Sequence, residues 1–377
     1  MSERQLDVLY KAEKVGTLKE TPDKRIAFQY DRSWLTNGFS ISPFSLPLKA
    51  DVFVPEKRTF DGLFGVFADS LPDAWGQVLL ERFLIGKGLS VDNLNMLDRL
   101  AYVGAAGMGA LEYKPARESE YSFGGYDFDE LARECEKILD SQPSEKLDLL
   151  YHLGGSSGGT RPKVLVNEDG EEWIVKFPSS RDPKNIGKME YDYSVCAEDC
   201  GIRMPQTELV PSNICEGYFK TLRFDRVKNQ DGSISKIFSI TAAGLLEADY
   251  RIPSLDYKDL LKLTTILTRD DKKQVEQMFR IMCFNVFAHN YDDHAKNFSF
   301  LCENGKWRLA PAYDLTYSST YYGEHTTSVC GKGIDIGDED LLTAGRGAGL
   351  SRNNCKNIVA EIKEKVMSGL EQYLRCS

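Results

Sequence analysis

Residues 288–301 read Ala-His-Asn-Tyr-Asp-Asp-His-Ala-Lys-Asn-Phe-Ser-Phe-Leu, and six polar groups (Asn290, Asp292, Asp293, His294, Lys296 and Asn297) crowd between apolar runs. Polar groups in such a setting are costly if buried without partners, so a merely solvated loop is the weaker explanation. Asp292 and Asn297 stand five apart. A carboxylate can take a proton from a hydroxyl, and an amide oxygen five residues on can bind a hard cation such as Mg²⁺. Further along, Trp307-Arg-Leu-Ala-Pro-Ala-Tyr-Asp-Leu315 ends an apolar strand on Tyr313 and Asp314, 17 residues after Asn297. Glu303-Asn-Gly-Lys306 is a hairpin turn, so Asn297 and Asp314 fall at the two ends of one hairpin. Tyr-Asp alone is an ordinary turn start. Beside the 288–301 segment, two oxygen ligands for one Mg²⁺ are the better reading.

A second group of residues suits phosphates. Gly154-Gly-Ser-Ser-Gly-Gly-Thr-Arg-Pro-Lys163 opens with six residues that are all Gly or Ser, so backbone N–H groups can face an anion without side-chain obstruction. It is not a Walker A loop, because Thr160-Arg161-Pro162 follows Gly159 where Gly-Lys-Ser/Thr would be needed. On its own, a Gly/Ser turn accounts for it as well. Lys176 lies in the apolar strand Trp173-Ile-Val-Lys-Phe177, and Glu190 follows 14 residues later at the start of a predicted helix. An edge-strand lysine and a helix-start glutamate are the plain alternatives. Together they match the strand Lys and helix Glu that orient nucleotide phosphates in kinases, just as the Asp292–Asn297 offset matches a kinase catalytic loop.

The elements that must position these groups can be read from periodicity. Ile26, Phe28 and Tyr30 alternate onto one strand face, and a helix is predicted from Pro72 to Leu84 with Leu79, Leu80 and Phe83 on one side. A short helix over Asn95–Tyr102 leads into a Gly-rich turn at 104–109, and residues 115–120 are polar and breaker-rich. Another helix covers 127–139. Lys163 then opens a hairpin through the turn 167–170 to the strand 172–177. Residues 188–200 read as helix and Phe219–Val227 as strand. From about 256 the chain is mostly helical, interrupted at 290–318, with Val275, Phe279, Met282 and Val286 on one face and a last helix over about 354–373.

The 377 residues leave room for two or three domains and a large core. Lys and Arg total 47 against 57 Asp and Glu, a net charge of −10 that argues against nucleic acid bound along a basic face. No apolar run approaches the ~20 residues of a membrane span, and the N-terminus lacks a secretory core. Nine scattered cysteines and four histidines, without CxxC or HxxxH spacing, fit reduced thiols in a cytoplasmic protein rather than disulfides or structural zinc.

The segments 155–163, 173–178, Arg-Phe-Asp-Arg (223–226), 292–298 and 311–315 resemble, in order and spacing, the HipA family of bacterial serine/threonine kinase toxins. Leu-Pro-Asp (71–73) and Val-Gly-Ala-Ala-Gly-Met-Gly-Ala-Leu (103–111) resemble its N-terminal subdomain. The resemblance implies an α+β, two-lobed protein-kinase-like fold: a small N-terminal α+β subdomain over 1–118, an N-lobe-like region over 119–228 and a helical C-lobe over 229–377. It implies Asp292 as catalytic base and Asn297 and Asp314 as Mg²⁺ ligands. Lys176 would contact ATP phosphates and Glu190 would position it, with Gly158, Gly159, Thr160, Arg161, Pro162 and Lys163 lying over them. Leu222, Arg223 and Phe224 would form the hinge against adenine, and His294, Lys296 and Tyr313 would complete the nucleotide site. It further implies autophosphorylation at Ser156; two departures from the family pattern are Ser157, a second hydroxyl beside it, and Asp293, an added carboxylate that competes with Asp292 for the assignment. The implied partners are a helix-turn-helix antitoxin, through which alone DNA is met, and a protein substrate such as an aminoacyl-tRNA synthetase. A small-molecule kinase and a nucleotide-binding transcriptional co-regulator are the alternatives. Thr316–Gly333 is expected, from position alone, to be an activation or docking segment.

Overall fold

Alternating apolar residues build the first sheet of the computed structural model, which describes residues 4–117, 125–155, 159–319 and 323–375. Leu6, Val8 and Tyr10 of β1 (Gln5–Tyr10) are buried, as are Leu18 of β2 (Glu13–Glu20) and Ile26, Phe28 and Tyr30 of β3 (Ile26–Tyr30). After α1 (Arg32–Asn37) come β4 (Val52–Phe53), α2 (Gly65–Ala68), α3 (Ala74–Gly86), α4 (Met96–Val103) and β5 (Leu111–Lys114). The five strands form one antiparallel sheet in the order β4-β3-β2-β1-β5. Asn95 caps α4 through a capping box with Asp98, which starts that helix where the sequence places it.

The second region holds α5 (Phe128–Leu139), α6 (Leu147–Gly154), β6 (Lys163–Glu168), β7 (Glu171–Lys176), α7 (Ile186–Asp199), β8 (Thr207–Val210) and β9 (Tyr218–Leu222). Its sheet runs β6-β7-β9-β8, all antiparallel. Asp169 and Gly170 both take positive φ, 51° and 78°, the tight turn that the twist of a two-residue hairpin favours. Trp75 and Leu79 of α3 pack into the core of this region with Val164, Trp173 and Val175.

The third region begins with β10 (Arg226–Lys228), β11 (Ile234–Lys236), β12 (Phe238–Thr241) and α8 (Ala242–Leu246). It continues with α9 (Tyr257–Leu267), α10 (Lys272–Phe287), a 3₁₀ turn (Ala295–Asn297), β13 (Ser299–Glu303) and β14 (Lys306–Leu309), and ends with α11 (Asp338–Gly347), α12 (Arg352–Gly369) and α13 (Glu371–Leu374). Phe238 of β12 meets Phe39 at 5.5 Å, so the first sheet and the helical region share one apolar core. Helices α2 and α8 touch so closely that a Cβ on Gly65 would lie 2.5 Å from the Gly244 carbonyl. Glycine is needed there.

Two expected elements come out differently. The strand expected over Phe219–Val227 breaks after Leu222, because Arg223, Asp225 and Arg226 turn into a buried ionic cluster. The last helix ends at Gly369 and restarts at Glu371. No helix among the described residues is long and apolar enough to cross a membrane.

Candidate functional site

The β6–β7 hairpin sets Lys163 directly opposite Lys176, so both ammonium groups project from one face of the sheet. Lys176 Nζ lies 2.5 Å from Glu190 Oε1 on α7 and also pairs with the Asp314 carboxylate. Glu190 is almost fully buried and Asp314 takes a left-handed φ of 53°, which Asp tolerates better than most residues. Burial works against charge at Lys176, Asp314 and Lys163. At Lys176 it is outweighed by Asp314 and then Glu190, which hold the ammonium above its usual range. At Asp314 it is outweighed by Lys176 and Lys163, which hold the carboxyl well below its usual range. At Lys163 burial wins, and the nearby Lys176 charge adds to it, lowering the ammonium to about 8. Gly159, beside Lys163 Nζ, takes a φ of 86°, a backbone conformation that favours glycine over residues with a side chain.

The opposite wall is the loop that leaves α10. His289 turns the chain at φ 52°, and Asp292 enters the cavity with 65% of its side chain exposed. Partial desolvation raises its carboxyl; His294, with Nε2 3.9 Å from Oδ1, pulls the other way, and Asp314 adds to the rise. Asp293 faces the other direction: it is fully buried, outside the cavity lining, and bonded to Tyr257, His325 and Thr327. Asn297 donates its amide nitrogen to the Asp292 carbonyl at 2.6 Å, which leaves its oxygen available as a ligand. Tyr313 bridges Ser299 Oγ and the Lys296 carbonyl, and its ring lies 5.4 Å from Phe224.

Residues from the first region complete the site, and sequence reasoning did not assign them a role there. Asp73, at the start of α3, makes no capping bond within its helix. One of its oxygens accepts from the Gly159 N–H at 2.9 Å and the other pairs with Lys296 Nζ. Burial opposes the Lys296 charge, but Asp73 and then Asp69 raise it above its usual range. Asp69 accepts from Thr241 N at 2.7 Å and Thr241 Oγ1 at 2.9 Å; burial pushes its carboxyl up to about 6. The Gly-rich turn at 104–109 is bound through its backbone: Gly109 N donates to Asp225 at 2.6 Å, and Arg226 donates to the Gly109 and Gly107 carbonyls. Arg223 and Arg226 share Asp225 and Glu172 in that cluster. The density of charge in Arg-Phe-Asp-Arg was the sequence signal for it.

One cavity of about 280 Å³ brings together Gly159, Thr160, Arg161, Lys163, Lys176, Glu190, Leu222, Arg223, Phe224, Asp292, His294, Lys296, Asn297, Tyr313 and Asp314. Leu165, Ile174, Met204 and Phe219 give it an apolar floor. Clefts that combine apolar walls with a few convergent polar groups are the usual form of small-molecule sites. Arg161 reaches it while paired with Asp182 at 3.2 Å, and the Arg223 guanidinium is held in the ionic cluster. Pro162 stands off the lining; its carbonyl accepts from Phe177 N at 2.8 Å and so anchors the loop. Ser156, Ser157 and Gly158 lie outside the described residues. Among the described residues no three His, Cys, Asp or Glu groups converge on a metal position. Two protein oxygens, from Asn297 and Asp314, are a set that suits Mg²⁺, which keeps waters and phosphate oxygens for its remaining positions.

Two family models match the chain: the HipA N-terminal domain over residues 6–114 and the HipA-like C-terminal domain over residues 155–370. The Sinorhizobium fredii protein named "Putative kinase Y4mE" is 26% identical over 410 residues, covering 98% of this chain and 93% of that protein. A Haemophilus influenzae protein with the same kinase designation is 26% identical over 260 residues, covering 56% of this chain and 74% of that protein. Among solved structures, HipA from the Shewanella oneidensis complex of HipA, HipB and operator DNA superposes with a TM-score of 0.73 at 18% identity, covering 97% of this chain and 90% of that one. The likeness extends over nearly the whole fold, and the expected α+β, kinase-like architecture is the one observed.

Proposed function

Since the chain belongs to the HipA family, we propose that it is a Mg-ATP-dependent serine/threonine protein kinase that acts as the toxin of a toxin–antitoxin pair. The observation that carries this reading is the Lys176–Glu190–Asp314 cluster facing Asp292 across one cavity. Lys163 and Lys176 would hold the nucleotide phosphates, and the adenine would lie against Leu222–Phe224. Asn297 and Asp314 would hold Mg²⁺, which neutralises phosphate charge when bound. Asp292, raised in pKa yet open to the cavity, would accept the proton of the attacking hydroxyl. Ser156 or Ser157 is the proposed autophosphorylation site. A phosphoserine carries about −1.5 to −2 charge and would repel ATP phosphates from the loop meant to cover them. The HipB partner and DNA of the Shewanella complex favour a helix-turn-helix antitoxin here too. The protein target is proposed to be a translation component such as an aminoacyl-tRNA synthetase.

The test is incubation of the purified chain with Mg-ATP, alone and with a cell lysate, followed by mass spectrometry of phosphosites. Asp292→Asn is expected to slow transfer by roughly 10²–10⁴-fold. Unchanged transfer in that variant overturns the mechanism. Transfer to metabolites without any phosphoprotein replaces the substrate class, and nucleotide binding without transfer makes the chain a co-regulator.

A further inference from the structure

Asp293 is a fully buried carboxylate beside the proposed catalytic Asp292, and its partners come from two other parts of the chain. From α9, Tyr257 OH donates to Asp293 Oδ2 at 2.8 Å. From the segment after residue 322, His325 Nδ1 lies 2.9 Å from Oδ2, Thr327 N donates to Oδ1 at 3.0 Å, and Thr327 Oγ1 donates to the Asp293 carbonyl at 2.5 Å. The bonding does not stop there. Asn285 Nδ2 donates to Tyr257 OH at 2.8 Å, and Asn290 Nδ2 donates to Asn285 Oδ1 at 3.0 Å. Ser318 Oγ lies 3.3 Å from Asn290 Oδ1, and the N–H of Asp292 donates to Ser318 Oγ at 2.8 Å. The path leaves Asp292 through its peptide bond to Asp293 and returns to Asp292 through its own N–H. It is a closed ring around one residue.

We infer that Asp293 and His325 are positioning residues for Asp292, locking the backbone on both sides of it while its side chain stays free in the cavity. This rests on the kinase reading for its catalytic part. The Asp292 carboxylate has little to hold it directly, since it is mostly exposed and the His294 ring nitrogen is 3.9 Å away. Its aim is therefore set by the backbone, and an error of about 1 Å in a reacting group can cost ~10²-fold in rate. Burying a carboxylate and three amide or hydroxyl side chains is a costly way to fill a core unless each is satisfied. Here each is satisfied by another member of the ring. Ser318 in the ring, and His325 and Thr327 bonded to Asp293 as branches from it, tie the loop to the segment that follows Asp314 at more than one point.

The test compares His325→Phe, which keeps a ring but loses Nδ1, with His325→Asn, whose amide can restore a donor near that position. In His325→Phe, kcat for phosphoryl transfer is expected to fall about 10–100-fold while the nucleotide Kd stays within about twofold, and His325→Asn should regain most of the loss. Hydrogen exchange of the amides in 290–297 should rise about tenfold or more, with α12 unchanged. Unchanged kcat, unchanged exchange in 290–297, or joint loss of kcat and nucleotide affinity overturns the inference. If the wild-type chain transfers no phosphate, the kinase reading fails and the exchange comparison alone decides the positioning claim. If His325→Phe does not fold, Tyr257→Phe is judged by the same two criteria.

Discussion

The two walls of the cavity are held in opposite ways. On the strand wall, charge is held by charge: Lys176 sits between Glu190 and Asp314, and Lys163 faces Lys176 across the hairpin. On the loop wall, Asp292 is fixed by a ring of bonds among amide and hydroxyl groups that closes through the buried Asp293. The difference teaches where function and stability are coupled. A change on the strand wall unbalances buried charges, so on the proposed reading it is expected to cost both. At Asp292 the side chain itself supports little, so its removal is expected to cost the proposed chemistry and leave the fold nearly untouched.

The sharpest way to break this contrast is Lys176→Met. Glu190, with 4% of its side chain exposed, would be left without its cation, and removal of one partner of a buried pair costs about 3–5 kcal/mol. Loss of a preorganised cation at the phosphates should also lower kcat by roughly 10²–10³-fold. Adding Glu190→Leu should return part of the stability and none of the activity, because the buried unpaired glutamate is then gone while Asp314 keeps Lys163 but not Lys176 as a neighbouring cation. Thermal unfolding and kinase assays on the single and double variants check both halves. A Lys176→Met protein as stable as wild type would show that the strand wall is not held by its charges.

The same contrast governs what was legible in the sequence. Lys176 and Glu190, or Asp292 and Asn297, are separated by one turn-and-helix or one loop, so residue type and spacing carry the message. Tyr313 and Asp314 follow from the hairpin after Asn297 for the same reason. Asp73 was legible only as the start of a helix, because its partners Gly159 and Lys296 lie 86 and 223 residues away. Asp69, pressed against α8, has its Thr241 partner 172 residues on. The choice between Asp292 and Asp293 was open in the sequence for a related reason. Two adjacent carboxylates point opposite ways, and which one faces the cavity depends on Tyr257 and His325. The break in the strand after Leu222 was missed because local β propensity was outweighed by the buried Asp225, whose burial is offset by Arg223 and Arg226, leaving its carboxyl lowered to about 2.

A smaller effect separates the two lysines of the strand wall. Lys163 is lowered to about 8 by burial and by Lys176, so it loses its proton as pH rises through that value, whereas Lys176 stays charged. Bound phosphates favour the protonated form. If Lys163 holds the phosphates as proposed, nucleotide affinity is expected to be flat below pH 8 and to weaken above it, by up to about tenfold per pH unit, until the lysine's usual range is reached. The sign for the unliganded fold is the reverse. Between about 8 and 10.5 the unfolded chain binds more protons at this lysine than the folded one, so its contribution to stability improves as pH rises. Calorimetric titration of nucleotide from pH 7 to 9.5 reads the first effect, and Lys163→Arg, permanently charged, should remove the slope. A wild-type affinity that stays flat to pH 9.5 would place the phosphates away from Lys163.

The smallest expected effect tests the point where the two walls meet. Asp73 holds the Gly159 N–H of the strand wall and Lys296 of the loop wall with one carboxylate. Those donors, a loop N–H and an ammonium, are the kind a phosphate would take. A carboxylate already bonded to them would compete with a nucleotide bound there, and bonds to charged groups are worth about 1.5–3 kcal/mol before reorganisation is counted. Asp73→Asn keeps an acceptor for Gly159 but gives up the ion pair with Lys296, which then keeps the Tyr250 ring 4.7 Å away and the Asp69 charge. Nucleotide affinity should therefore tighten by about 3–10-fold, measured by the same titration at pH 7. Weaker binding in Asp73→Asn would mean the opposite: that the carboxylate shapes the Gly-rich loop for phosphate rather than competing with it. The first region would then belong to the nucleotide site as a scaffold, not as a brake.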